Sequence, residues 1–158
     1  MKEELFSQLI DESLPMLRSV AYRILGNAAD ADDAVQEALL RAWKKFGSFS
    51  GKAKLSSWVY RVTANIAYDM LRKRQREEKK LQATLPETTS EDDNSSRIEV
   101  LTLAIAELPQ KFRDALTATF FSGLSGEEAA ALQKCNVNTL YWRVSRAKEM
   151  LYEKLKGC

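Results

Sequence analysis

The chain has 158 residues, with 24 basic and 22 acidic side chains, three prolines, six glycines and no histidine. This length suits one medium domain or two small ones. No apolar run approaches the roughly 20 residues of a membrane span, the acidic, amphipathic start MKEELFSQLIDE is neither a signal nor a transit peptide, and Cys135 and Cys158 are too few for a disulfide framework. Without histidine the common zinc sites are incomplete, and no cofactor or metal is implied; a reducing cytoplasm fits. Few prolines and glycines among abundant Ala, Leu, Glu and Lys favour an all-α protein.

The net charge of +2 is unevenly spread. Residues 1–40 hold three bases and eight acids, net −5, and residues 41–80 hold twelve bases and three acids, net +9. Residues 81–110 return to −5, and residues 111–158 carry +3. Two basic blocks separated by an acidic one point to two surfaces for polyanions on one chain.

In chain order, Leu5, Phe6, Leu9, Ile10, Leu17, Val20, Ala21, Ile24 and Leu25 recur at helical spacing. Pro15 is expected to kink or restart this helix after Ser13, and Gly26-Asn27 to end it. A second helix, capped by Asp30 or Asp32, runs to about Phe46. Asp33, Gln36, Glu37 and Leu40 share one of its faces, and Val35, Leu39 and Trp43 read as its buried stripe. Phe46 to Lys54 breaks the pattern with two glycines and two phenylalanines among lysines. A third helix starts near Leu55 and ends in the basic run Arg72 to Arg76; Trp58 reads as core. The acidic stretch from Gln82 to Arg97 has no apolar periodicity and reads as a flexible linker. The expected organisation is therefore two small helical bundles, residues 1–80 and 98–158, joined by a linker over 81–97.

In the second bundle an apolar helix from Ile98 is stopped by Pro109, and a helix over Lys111–Phe121 is ended by Gly123. Ser125 and Glu128 have capping-box spacing at the start of a short helix, Glu127 to Lys134. After a tight turn, Asn136 or Asn138 caps the last helix, whose inward stripe is Leu140, Val144, Ala147, Leu151 and Leu155. Short helix, tight turn and longer basic helix make a helix-turn-helix, which places the start of its second helix in the DNA major groove. Thr139, Trp142, Arg143, Ser145, Arg146 and Glu149 are then the outward residues. An ordinary helical hairpin with a basic face fits the local pattern equally well.

DADDAVQEALLRAW followed by FGSFSGKAKLSSWVYRVTANIAYDMLRKR resembles region two of the small bacterial extracytoplasmic-function (ECF) sigma factors. LSGEEAAALQKCNVNTLYWRVSRAKEML resembles region four of the same family. The departures are Ala129 for a larger aliphatic, Lys134 and Asn138 for frequent glycines, and Tyr141-Trp142 for a basic or small pair.

The resemblance implies a dissociable initiation subunit that docks on core RNA polymerase, at the largest subunit's clamp helices and the flap. It implies recognition and opening of promoter DNA, and an anti-sigma factor as a further partner. Asp33, Gln36, Glu37 and Leu40 would form the polymerase-docking face. Phe49, Ser50, Lys52, Lys54, Arg61, Asn65, Arg72 and Arg74 would meet the minus-ten strand; unstacked bases call for aromatic faces, cations for the backbone and polar groups for base edges. Glu128, Thr139, Tyr141, Trp142, Arg143, Ser145 and Arg146 would meet the minus-thirty-five element. The linker would thread toward the RNA exit path, or serve as a passive tether. No nucleophile–base pair or phosphate loop is present, so no enzyme is expected. A sigma-mimic adaptor lacking groove-facing bases, or a repressor using the second bundle alone, are the other readings.

Overall fold

The computed structural model describes residues 2–48, 52–82, 93–121 and 124–157. These form seven α-helices: α1 (Lys2–Leu25), α2 (Ala28–Lys45), α3 (Lys52–Gln82), α4 (Asp93–Ala106), α5 (Gln110–Phe120), α6 (Gly126–Leu132) and α7 (Val137–Leu155). A 3-10 turn, Phe46–Ser48, follows α2, and no strand occurs among the described residues. Helices α1, α2 and α3 pack mutually into one bundle, α4 to α7 form a second around α7, and α3 touches α4, α5 and α6.

The first core follows from the apolar stripes. Leu17, Val20 and Ala21 of α1 and Val59, Tyr60, Ala67, Tyr68 and Leu71 of α3 are all fully buried or nearly so, and α1 packs along α3. Helix α2 adds Ala31, Ala34, Val35, Ala38 and Ala42. Its buried stripe is thus mostly alanine and sits one position off the expected Val35, Leu39 and Trp43. Leu39 is half-buried, and Trp43 lies at the rim against the rings of Phe6 and Phe46, with centroids 5.0 and 6.4 Å away.

Several boundaries differ from expectation. Pro15 lies inside α1, which continues through it. Its ring faces solvent while Phe6, Leu9, Ser13, Leu17 and Val20 are buried on both sides of it. The single missing N–H bond is outweighed by burial shared across both halves. Asn27, not Asp30 or Asp32, caps α2: its Oδ1 accepts from the Asp30 N–H at 2.8 Å. Gly26, with φ of 78°, makes the left-handed exit from α1, its N–H donating to Tyr22 O at 2.7 Å. Helix α3 begins three residues before Leu55 and runs on to Gln82, and α4 starts at Asp93, inside the stretch read as linker. Gly123 lies outside the described residues.

The helix-turn-helix is built from local signals. Ser125 Oγ accepts from the Glu128 N–H at 3.1 Å, and the Glu128 carboxylate accepts from the Ser125 N–H at 3.4 Å, completing the capping box. Helix α6 ends with the Cys135 N–H donating to Ala130 O and the Lys134 N–H to Ala131 O, the Schellman pattern. That pattern puts Lys134 in the left-handed region, with φ of 55°. Asn136 then caps α7, its Oδ1 accepting from the Thr139 N–H at 2.7 Å. Leu140, Val144, Ala147 and Leu151 are buried as expected, with Leu155 half-buried at the end.

Candidate nucleic-acid interface

The acidic row of α2 points away from the bundle. Asp33, Gln36, Glu37 and Leu40 are all exposed, Leu40 by 60%. Leu40 is the apolar member of an otherwise polar outward row. Glu37 pairs with Arg41 one turn on, at 3.2 Å, and Asp32 with Arg18 at 3.5 Å. The opposite side of α2 is its alanine stripe, so the row is mounted on a helix held close to α1 and α3.

On α3, Arg61, Asn65 and Arg72 lie on one stripe with Tyr60, Tyr68 and Ala64. The structure commits all three polar members to the second bundle. The Arg61 guanidinium pairs with the Asp114 carboxylate of α5 at 2.9 Å. Asn65 Oδ1 accepts from Arg113 Nη2 at 3.2 Å. Arg72 donates to Asp69 and to the Ala106 carbonyl. Arg74 turns elsewhere: it donates to Asp30 at 3.2 Å and to Leu25 O at 2.9 Å, tying the α1–α2 corner to α3. Of the basic run, Lys73 and Arg76 are the exposed members; their outward register could have been read from helical spacing. Phe49 and Ser50 lie outside the described residues, and Lys52 and Lys54 are described by their helical backbone alone.

Burial sets the electrostatics of this contact. It pushes the Asp114 carboxyl above its ordinary value, against the opposing pull of Arg61, Arg113 and a hydrogen bond from Asn65. Burial, then the charge of Arg72, lowers the Arg113 guanidinium, whose Nε has no hydrogen-bond partner. Thr117 Oγ1 donates to Arg113 O at 2.8 Å, so the Tyr68 hydroxyl donates to Thr117 Oγ1, also at 2.8 Å. Burial pushes that phenol up to about 12. The Tyr60 hydroxyl donates to Thr117 O at 3.4 Å. Asp114 and Thr117 escaped sequence reading because their partners are more than forty residues away.

On α7, Tyr141, Trp142, Ser145 and Arg146 are exposed, and Thr139 and Arg143 half-buried. Trp142 leans on Phe112 of α5, with centroids 6.1 Å apart, and stays 58% exposed. Arg143 Nη1 donates to Gln133 Oε1 at 3.2 Å, and Arg146 pairs with Glu149 at 3.0 Å. A side chain on Gly126 would collide with the Tyr141 hydroxyl, so this glycine lets Tyr141 lie against the start of α6. Glu128, expected among the DNA contacts, spends its carboxylate on the capping box. The outward α7 surface is therefore an aromatic–basic row with donors suited to phosphates and base edges.

Comparison with known proteins covers both bundles. Residues 9–77 match the model of sigma-70 region 2, and residues 98–151 that of sigma-70 region 4. The chain is 36% identical over 142 residues to the ECF RNA polymerase sigma factor EcfG of Rhodopseudomonas palustris, covering 88% of this chain and 78% of the relative. It is 26% identical to the ECF sigma factor SigW of Bacillus subtilis, covering 98% and 90%. Among solved structures it is similar to the sigma factor RpoE of Bartonella quintana, crystallised with the anti-sigma factor NepR: TM-score 0.56, 32% identity and 96% of both chains. With both conserved regions matched in order and relatives aligned along most of its length, the chain belongs to the extracytoplasmic-function sigma factors of the sigma-70 family.

Proposed function

We propose that this chain is a dissociable promoter-specificity subunit whose separate surfaces serve polymerase, the melted strand and duplex DNA. Asp33, Gln36, Glu37 and Leu40 of α2 dock on the clamp helices of the polymerase's largest subunit. The second bundle sits toward the flap. Arg61 and Asn65, with Phe49, Ser50 and the α3 residues Lys52 and Lys54, hold the displaced minus-ten strand: cations take the backbone and the amide takes a base edge. Arg72 supports this face from its edge, and Lys73 and Arg76 join as phosphate contacts. Arg74 holds the α1–α2 corner rather than DNA. Trp142, Ser145 and Arg146 of α7 enter the major groove of the minus-thirty-five element, with Arg143 and Thr139 beside them. Tyr141 braces α6, and Glu128 sets that helix's start.

The observation that carries this reading is the pairing, in one chain, of an outward acidic and apolar row on α2 with an outward aromatic and basic row on α7. The subunit supplies recognition, and the polymerase core does the chemistry, in the cytoplasm. The complex of the related Bartonella protein with NepR supports an anti-sigma partner here too. Run-off transcription with core polymerase on a promoter library tests the proposal. One enriched pair of upstream and downstream elements is expected; recovery of none would overturn it.

A further inference from the structure

The outward face of α7 changes character along its length. Trp142, Ser145, Arg146 and Glu149 follow the i, i+3, i+4, i+7 rule and share one side of the helix. The charged members sit at its far end, where Arg146 pairs with Glu149 at 3.0 Å. Arg143, beside this face, is drawn back toward α6 and donates to Gln133 at 3.2 Å. Tyr141 lies against Gly126 at the start of α6. The first turns of the second helix come closest to base edges in a docked helix-turn-helix. On this face those turns present an indole where the family often carries a small or basic residue.

The indole is held in place. Its ring lies 6.1 Å from the ring of Phe112 on α5 and is tilted by 53° to it, within the range of attractive aromatic pairs. Phe112 is itself buried and forms a fixed backing, while more than half of Trp142 stays open to solvent.

Base edges differ in what they ask of such a side chain. Tryptophan offers an apolar ring and one N–H donor, and it has no acceptor. In the major groove guanine shows two acceptors, which suit the paired donors of arginine. Adenine and cytosine each show an amino group that needs an acceptor. Thymine shows a methyl group beside the O4 acceptor. Only the thymine edge matches both parts of an indole.

We propose that Trp142 is a specificity-determining residue that reads the 5-methyl group of one thymine in the upstream element, with Phe112 as its positioning residue. This rests on α7 entering the major groove of that element, as set out under Proposed function.

The test takes the methyl group off the DNA and leaves the protein intact. Holoenzyme assembled from core polymerase and the full chain is offered duplexes randomised across both promoter elements. The enriched promoter is then remade with deoxyuridine in place of each upstream thymine in turn, on either strand. Uracil pairs as thymine does and lacks only the methyl group. One replacement should weaken holoenzyme binding, read by an electrophoretic mobility assay, by about four-fold, the effect of one buried methyl group. Trp142→Ser should bind the thymine and uracil versions of that site equally. A thermal melt checks that the variant folds, and the uracil series on wild type stands without it.

An enriched upstream element that lacks thymine overturns the assignment, as do uracil versions that all bind as tightly as the parent. A uracil penalty that Trp142→Ser retains also overturns it. Each of these results leaves promoter recognition standing. Recovery of no enriched promoter removes the promoter reading itself, and this inference with it.

Discussion

Reversing the charge of Glu37 separates docking from folding. Glu37 is half exposed and pairs with Arg41 within the same helix at 3.2 Å. Losing an exposed pair of this kind costs about 0.3–0.5 kcal/mol, and a lysine beside Arg41 adds repulsion of similar size. Glu37→Lys should therefore cost the fold about 1 kcal/mol at most, or roughly 4–8 °C in a bundle of this size. At a docked interface the same side chain loses a desolvated charge partner, worth about 2–5 kcal/mol. Affinity for core polymerase should fall by at least about 30-fold, since about 1.4 kcal/mol is ten-fold. Fluorescence anisotropy of labelled chain titrated with core polymerase measures the loss, and a thermal melt followed by circular dichroism measures the fold. Binding within about three-fold of wild type, under 1 kcal/mol, would refute the docking assignment. So would a loss of binding accompanied by collapse of the melt.

Other consequences can be checked separately. Arg146→Ala should weaken binding to the upstream element by about 1–3 kcal/mol with little change in stability, because its Glu149 pair is exposed; an electrophoretic mobility assay with holoenzyme reads the first and a melt the second, and equal loss on every duplex would mean it contacts phosphate only. Lys134→Gly should stabilise the second bundle by up to about 1 kcal/mol, the left-handed penalty of about 1–2 kcal/mol less the added freedom of the unfolded chain; a urea melt in which the glycine variant is weaker contradicts this. Asn65→Ala should impair promoter opening, read by permanganate footprinting, with core binding near wild type; equal loss of both would make Asn65 structural. Asp114 gives a pH signature of unusual sense. Its folded pKa lies above its unfolded value, so the folded chain binds more protons, and its contribution to stability grows as pH falls through the folded pKa. Wild type should therefore gain on Asp114→Asn as the medium is acidified toward pH 4, and a gap moving the other way in urea melts excludes the burial argument.

Much of the architecture was legible because it is written locally. The capping box at Ser125 and Glu128, the Asn136 cap and the α7 stripe depend on residues within a turn or two of each other. The outward register of Asp33, Gln36, Glu37 and Leu40 follows from helical spacing alone. Errors arose where a second signal competed. Asn27 and Asp30 are both good caps, and only the donor geometry chooses between them. Pro15 carries a strong local veto that shared burial on either side overrides. The commitments of Arg61, Asn65, Arg72 and Arg74 were not legible, since a basic residue on a helix looks the same whether it waits for phosphate or pairs with an acid from another bundle. Lys134 is an intermediate case: its departure from the family's glycine marked the position, and the positive φ explains why glycine is common there.

The alanines beneath the acidic row of α2 carry a mechanical consequence. Ala31, Ala34, Ala38 and Ala42 let the helix axis approach its neighbours closely, so the plate that bears the outer residues is stiff and thin. A change on its outer face leaves the packing below undisturbed. One added methyl group on the inner side would instead push the helix off its neighbours and shift every outer residue together.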